Sequence, residues 1–373
     1  MNTPLFYKNK PIFGMDIGHS TLKVVQLTKN SDSSLLVQGY GFNNFSGSAI
    51  ENGIITDPSE VAQAAYSLLT EKVVGGITTN RVVSAIPVSK TFTRVLTLPA
   101  ASEDQLDEAV KLEVEQYVPV PIDDLYIDYK ITYRDTSKKD EELEILMVAA
   151  PKLIVDSYMD LYEMLGLEVA AIETSLISSV RGVKNSFNKK PDPKKGKSKS
   201  KKTKTQATLL IDFGAKSSDL SIFDNTIRVT GTIQKGGDDI TKAIADTLKL
   251  TERQAHTLKS RHGLSDSKHQ KKINDAAKPV LAELGREIRK MKRYYEGRAT
   301  DEGEISQLII LGGGANLPGL PEFLNKETGI ETSVCNTWNN ADFGRLQEPH
   351  RLETTMYTTA FGLALAQIKG ELR

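Results

Sequence analysis

Two aspartate–glycine turns hold the residues best suited to chemistry. In the stretch Phe13–Leu27 apolar residues run up to Asp16, Gly18 interrupts them, and the β-branched Val24 and Val25 resume, a strand–turn–strand pattern. Asp16, Gly18, His19, Ser20, Thr21 and Lys23 fall on or beside that turn. Backbone N–H groups and hydroxyls at such a turn can cradle a phosphate, because glycine lets the backbone come close. The carboxylate can hold Mg2+ through water, since that ion keeps much of its hydration shell. The design recurs in Leu209–Ile222, which carries Asp212, Gly214, Ala215 and Ser217. A third element, the apolar run Leu308–Leu311, leads into Gly312, Gly313, Gly314 and Ala315. Alone, an Asp-x-Gly turn is only a turn. Two of one design suggest two related halves facing one another, and the strand that ends in glycines lets backbone pack flat against a ligand.

The elements between these landmarks follow from periodicity. Asp57 and Pro58 start a helix. Val82–Ile86 reads as a buried strand, and Pro87 ends it. A strand over 91–98 comes next, then a helix capped by Ser102 and Gln105, two strands over 125–133 and 143–150, and a helix from Lys152 that stops at Gly166. This strand–helix–strand–strand–helix run suggests a small α+β module inserted into the first half. The expected division is 1–87 for the first half, 88–168 for the module, 169–188 for a connecting helix, 189–206 for a linker, 207–338 for the second half and 339–373 for a return to the first.

Composition narrows the function. Of 373 residues, 39% are hydrophobic and 26% charged, an ordinary globular balance with zero net charge. Lysines fill nine positions between Lys189 and Lys204 against the single acid Asp192, so this run is +8 and the remainder −8. It cannot build a core, and it reads either as a solvated tether or as an electrostatic contact to an anionic membrane. It lacks interleaved aromatics, so no nucleic-acid partner is expected. No apolar run approaches the ~20 residues that span a bilayer, and Met1–Lys10 lacks a signal-peptide core. The lone cysteine, Cys335, excludes an internal disulfide and fits a reducing cytosol.

Four passages resemble the PilM family of type IV pilus assembly proteins, relatives of the division protein FtsA in the actin-like group. They are Gly14–Gly18 with Lys23–Leu27, the inserted passage Glu113–Asp123, Ile211–Gly214 with Gly236–Thr241, and Gly312–Leu320. The resemblance implies an α/β, actin-like (ribonuclease-H-like duplicated) fold with the inserted module, in a cytosolic protein at the inner face of the cell membrane. It implies ATP and Mg2+ as cofactors. Asp16 and Asp212 would stand near the metal. Gly18, Ser20, Thr21, Gly214 and Ser217 would contact phosphates that Lys23 neutralises. Gly312, Gly313 and Gly314 would line adenosine, and His19, Ala215, Gly236, Gly237, Lys259 and Ala315 complete the nucleotide set. Glu173, expected at the start of the connecting helix, either faces the phosphates or is a plain N-terminal helix acid.

The implied partners are the N-terminal tail of a PilN-type inner-membrane protein and other pilus machinery. Tyr117, Val118 and Pro119 are either groove residues for that tail or core. Two positions depart from the family pattern: His19 replaces a small serine, and His256 replaces an acid that would contact the ribose. The expected function is a nucleotide-dependent scaffold, at most a weak ATPase. An FtsA-like filament former and a kinase or phosphatase of the same superfold are the alternatives.

Overall fold

Alternating apolar residues build the first sheet around Asp16. Phe13–Ile17 (β1) and Thr21–Lys29 (β2) pair antiparallel with Asp16 opposite Lys23, and Leu35–Asn44 (β3) continues the meander. The structure, a computed structural model, describes residues 10–30, 34–135, 142–184, 206–264, 270–297 and 303–371. The lysine run Lys189–Lys204 lies outside the described residues. The helix Pro58–Ser67 (α1) starts where Asp57 accepts a hydrogen bond from the Glu60 amide at 3.1 Å. Arg81–Ile86 (β4) then lies parallel to β1.

The inserted module follows. Phe92–Pro99 (β5), Leu125–Asp135 (β6) and Glu142–Pro151 (β7) form an antiparallel sheet in the order β5–β7–β6. Glu103–Tyr117 (α2) closes one face with Leu106, Val110 and Val114 against Ile145 and Met147. The next helix, Lys152–Met164 (α3), does not belong to this core. Its Ile154, Tyr158, Leu161 and Tyr162 pack with Phe13, Met15 and Val61 instead. The module therefore ends near Pro151, one helix short of the 88–168 expectation. Helical periodicity shows that α3 has an apolar face but not which sheet that face meets.

Glu168–Thr174 (β8) adds to the first sheet beside β4, and Ser175–Val183 (α4) follows. Glu173 is a strand residue, not the opening of a helix. Its carboxylate is held by Arg181, at 2.6 Å, in a little-exposed ion pair. The phosphate-facing reading of Glu173 is thereby corrected: α4 starts two residues later, and a guanidinium already occupies the carboxylate.

The chain divides into two units, 1–182 with 338–348 and 359–373, and 183–337 with 349–358. The second unit repeats the meander as Gln206–Phe213 (β9), Ser218–Asp224 (β10) and Thr226–Ile233 (β11). Glu304–Leu311 (β12) lies parallel to β9, and Thr332–Val334 (β13) completes the order β11–β10–β9–β12–β13. Four helices flank it: Gly237–Leu248 (α5), Glu252–His262 (α6), Gln270–Glu296 (α7) and Leu320–Thr328 (α8). Leu209, Ile211 and Phe213 meet Ile240, Leu281, Leu284 and Ile288 in one core.

Thr358–Ile368 (α9) returns the chain to the first unit. It crosses so closely that a Cβ on Gly362 would stand 1.8 Å from the Ser178 carbonyl oxygen, and one on Gly14 2.2 Å from that of Ala360. Arg181 fastens the same crossing through the Glu371 carboxylate at 2.9 Å and the Gly362 carbonyl at 2.9 Å. Backbone on backbone cannot yield as a flexible side chain can. Gly362→Ala is expected to destabilise the first unit by at least ~2 kcal/mol in chemical denaturation. Gly76→Ala, which adds its methyl where nothing lies within 4 Å, is the control and is expected to behave as wild type.

Candidate functional site

In the second unit, β9 and β12 end side by side, with Asp212 in register with Leu311. Gly312 follows at φ +82°, and a Cβ there would sit 2.3 Å from Asp212 Oδ1. At Gly314 a Cβ would sit 2.3 Å from Phe213 Cδ1. Glycine alone lets this backbone lie against the end of β9, while Gly313 stands open and exposed. Ligands of α/β sheets bind at such carboxyl ends of strands. Ala315 faces the other way. It is 2% exposed and belongs to the core, which corrects its place in the nucleotide set.

The turn after β9 is closed by the Gly214 amide donating to the Ser217 carbonyl at 3.0 Å. The N-terminus of α5 braces it: the Gly237 and Asp238 amides donate to the Gly214 and Ala215 carbonyls, each at 2.9 Å. The Gly236 amide donates to the Asp239 carboxylate at 2.9 Å. The amides of Gly236 and Gly237 are thus engaged in supporting the turn instead of facing a phosphate. The turn itself presents Ala215 and Lys216, both exposed. Lys259 donates to the Gly237 carbonyl at 2.8 Å, so it stands at the first turn of α5. Burial lowers its pKa, opposed by the nearby Asp238. His256 lies one helical turn earlier, its pKa lowered by burial and by the charge of Lys259. A braced turn, a glycine run and a partly buried cation are suited to a phosphate ester.

In the first unit the Gly18 amide closes its turn on the Thr21 carbonyl at 2.9 Å. Lys23 Nζ lies 2.9 Å from Asp16 Oδ2, both side chains little exposed. The ammonium passes 3.0 Å from where a Cβ of Gly18 would be, so the glycine makes room for it. Thr21 Oγ1 donates to Asn44 at 3.2 Å. The His19 ring rests on Gly47, whose Cβ would lie 2.8 Å from Nε2. Beneath the turn, Tyr158 is fully buried and its hydroxyl has no hydrogen-bond partner among the described residues. Burial, followed by the charges of Tyr162 and Asp16, raises its pKa. Among the described residues no three histidine, cysteine, aspartate or glutamate side chains converge on a metal position.

On the module, Tyr117 is half exposed and the Arg94 guanidinium stacks 3.7 Å over its ring. Pro119 is exposed, but Val118 is sealed in the module core, which corrects its assignment to a groove. Strands β5 and β6 are the open edges of the sheet.

One residue escaped the motif reading. Asp219 pairs directly across the hairpin from Asp212, so the two carboxylates share a face of the sheet. Thr232 Oγ1 donates to Asp219 at 2.6 Å, and burial pushes its pKa up to about 6. Counting the hairpin register outward from the Gly214–Ser217 turn would have found it.

Duplicated meanders, each with an aspartate–glycine turn, and a strand ending in glycines define an actin-like protein. The fold is similar to that of EutJ from Carboxydothermus hydrogenoformans (TM-score 0.54, 13% identity, 97% of this chain and 91% of that one). It is also similar to MreB5 of Spiroplasma citri bound to ADP (TM-score 0.52, 11% identity, 98% of each chain). More specifically, the chain belongs to the family of the type IV pilus assembly protein PilM, whose sequence profile matches residues 14–368. A PilM–PilN type IV pilus biogenesis complex has the same fold at TM-score 0.81, with 23% identity over 96% of this chain and 99% of that one.

The raised pKa of Asp219 sets a sign. A carboxyl that holds its proton more tightly when folded contributes stability below the unfolded pKa near 4, and that contribution is lost as pH rises through about 6. Asp219→Asn keeps the acceptor for Thr232 without the charge. It is expected to raise stability at pH 7.5 by up to ~3 kcal/mol and to flatten the pH 4–7 dependence in urea titrations.

Proposed function

We propose that this chain is a nucleotide-holding scaffold of type IV pilus assembly, acting at the cytoplasmic face of the inner membrane. The observation that carries the nucleotide reading is the cradle at the end of β9, where Asp212 and Phe213 fill the Cβ positions of Gly312 and Gly314. MreB5 of Spiroplasma citri has been solved with ADP and with AMPPNP, and ATP is the ligand we assign here. In the second unit Gly312–Gly314 and Lys259 serve the adenosine and the Gly214–Ser217 turn takes phosphates; the Gly18–Thr21 turn of the first unit is a phosphate cradle in its own right. Mg2+ would neutralise phosphate charge, its water shell held by Asp212 in the second unit or by Asp16 in the first. Lys23 must then exchange part of its contact with Asp16 for a phosphate. Nucleotide acts as a ligand that favours one conformation over another, not as fuel for a fast turnover.

The partner reading rests on the likeness to the PilM–PilN complex and on the module's open edges. An extended N-terminal tail of a PilN-type membrane protein adds to an edge strand by main-chain hydrogen bonds, and side-chain contacts such as Tyr117 and Pro119 give specificity. No helix among the described residues is long and apolar enough to cross a membrane, so this docking ties the chain to the bilayer.

Two measurements check the two halves of the proposal. Asp212→Ala is expected to weaken Mg·ATP binding at least tenfold by calorimetry, with the circular dichroism unchanged. Unaltered affinity would remove Asp212 from the site. Tyr117→Ala combined with Arg94→Ala is expected to weaken binding of a fluorescent tail peptide by about tenfold, while ATP affinity stays at the wild-type value. Equal tail binding by variant and wild type would place the docking surface elsewhere.

A further inference from the structure

The helix α7 has two faces with different tasks. One is the apolar row Ile273, Ala277, Leu281, Leu284 and Ile288, buried in the second unit's core. Opposite it, at helical spacing, stand Lys271, Lys278, Arg286 and Arg293, all exposed. Lys272 is exposed beside them, whereas three further cations of α7 are paired: Arg289 with Glu327, Lys290 with Glu287 at 3.3 Å and Lys292 with Glu296 at 3.7 Å. The four on the outer face have no ion-pair partner among the described residues. They extend for about 33 Å along the helix at 1.5 Å per residue. Asp275 lies between Lys271 and Lys278, Glu283 stands three residues before Arg286, and Ala282 sits midway.

We infer that the outer face of α7 is a docking surface for an anionic membrane. A row of unpaired cations on a chain that is −8 outside Lys189–Lys204 sets this face apart and calls for a negatively charged counterpart. The face is the outer side of a single helix, so it offers little for the shape of a folded protein to engage. A bilayer rich in acidic headgroups needs no such shape. It presents a plane of phosphates wider than the helix is long, and long lysine and arginine side chains reach it with their charged ends while their stems lie along the helix. The contact is one of charge, falls with salt, and is independent of the nucleotide and tail readings. It also differs from the basic run Lys189–Lys204, which the test must therefore silence.

The experiment is co-sedimentation of the full chain with its nine run lysines changed to glutamine, with and without Lys271→Gln, Lys278→Gln, Arg286→Gln and Arg293→Gln. The vesicles are phosphatidylcholine alone or mixed with phosphatidylglycerol. The run-silenced chain is expected to sediment with the mixed vesicles at low salt and not with the neutral ones. The four α7 changes should lower that partition on the order of a hundredfold, with the melting temperature and ATP affinity unchanged. The inference is overturned if the run-silenced chain ignores both vesicles, binds both equally, or binds the mixed vesicles as well after the α7 changes. Retention on immobilised polyglutamate without binding to vesicles would assign the face to an acidic protein and overturn it too.

Discussion

The close approach of Gly312 and Gly314 to the end of β9 is the constraint on which the second unit's site depends. Two parallel strands end together, and the chain leaving one of them must turn across the other. With side chains of any size, that path would collide with Asp212 and the Phe213 ring. Without them the backbone lies flat and leaves Gly313 open. The neighbouring turn is fixed by a different means, since the first amides of α5 clamp its carbonyls. Its shape is therefore set before any ligand arrives, and less conformational freedom is lost on binding.

The first unit meets the same chemical problem by charge. Asp16 and Lys23 face one another across a hairpin, little exposed, and each satisfies the other. Such a pair contributes little net stability, but breaking it by removing one partner leaves a costly lone charge. On the function proposed above, a phosphate that takes Lys23 would expose the Asp16 carboxylate, and a hydrated cation would replace the ammonium, so that the two bindings would be coupled by charge.

Much of this was legible in the sequence. Strand–turn–strand periodicity marked both hairpins, and capping residues marked α1 and α2. Failures cluster where local pattern is silent about tertiary partners. The amphipathic face of α3 gave no sign that it serves the Asp16 sheet and not the module. Gly236 and Gly237 were counted in the nucleotide set, but whether an amide is free depends on what packs above it. Glu173 shifted from helix to strand by two residues, and that shift handed its carboxylate to Arg181. Val118 and Ala315 follow motifs, yet burial decides which way a side chain points. Asp219 was missed because motif spacing does not display cross-strand partners.

The junction of β7 and α3 has a mechanical meaning. Pro151 is the last residue of the strand and Lys152 the first of the helix, so no slack separates them. One end of this continuous rod lies in the module's sheet. The other carries Tyr158 and Tyr162, packed beneath the Asp16 turn. A tug on the module by a membrane-tethered partner would load this rod directly. The Asp16 hairpin, to which we assign a phosphate, sits above these tyrosines, so tension would change the floor under one carboxylate.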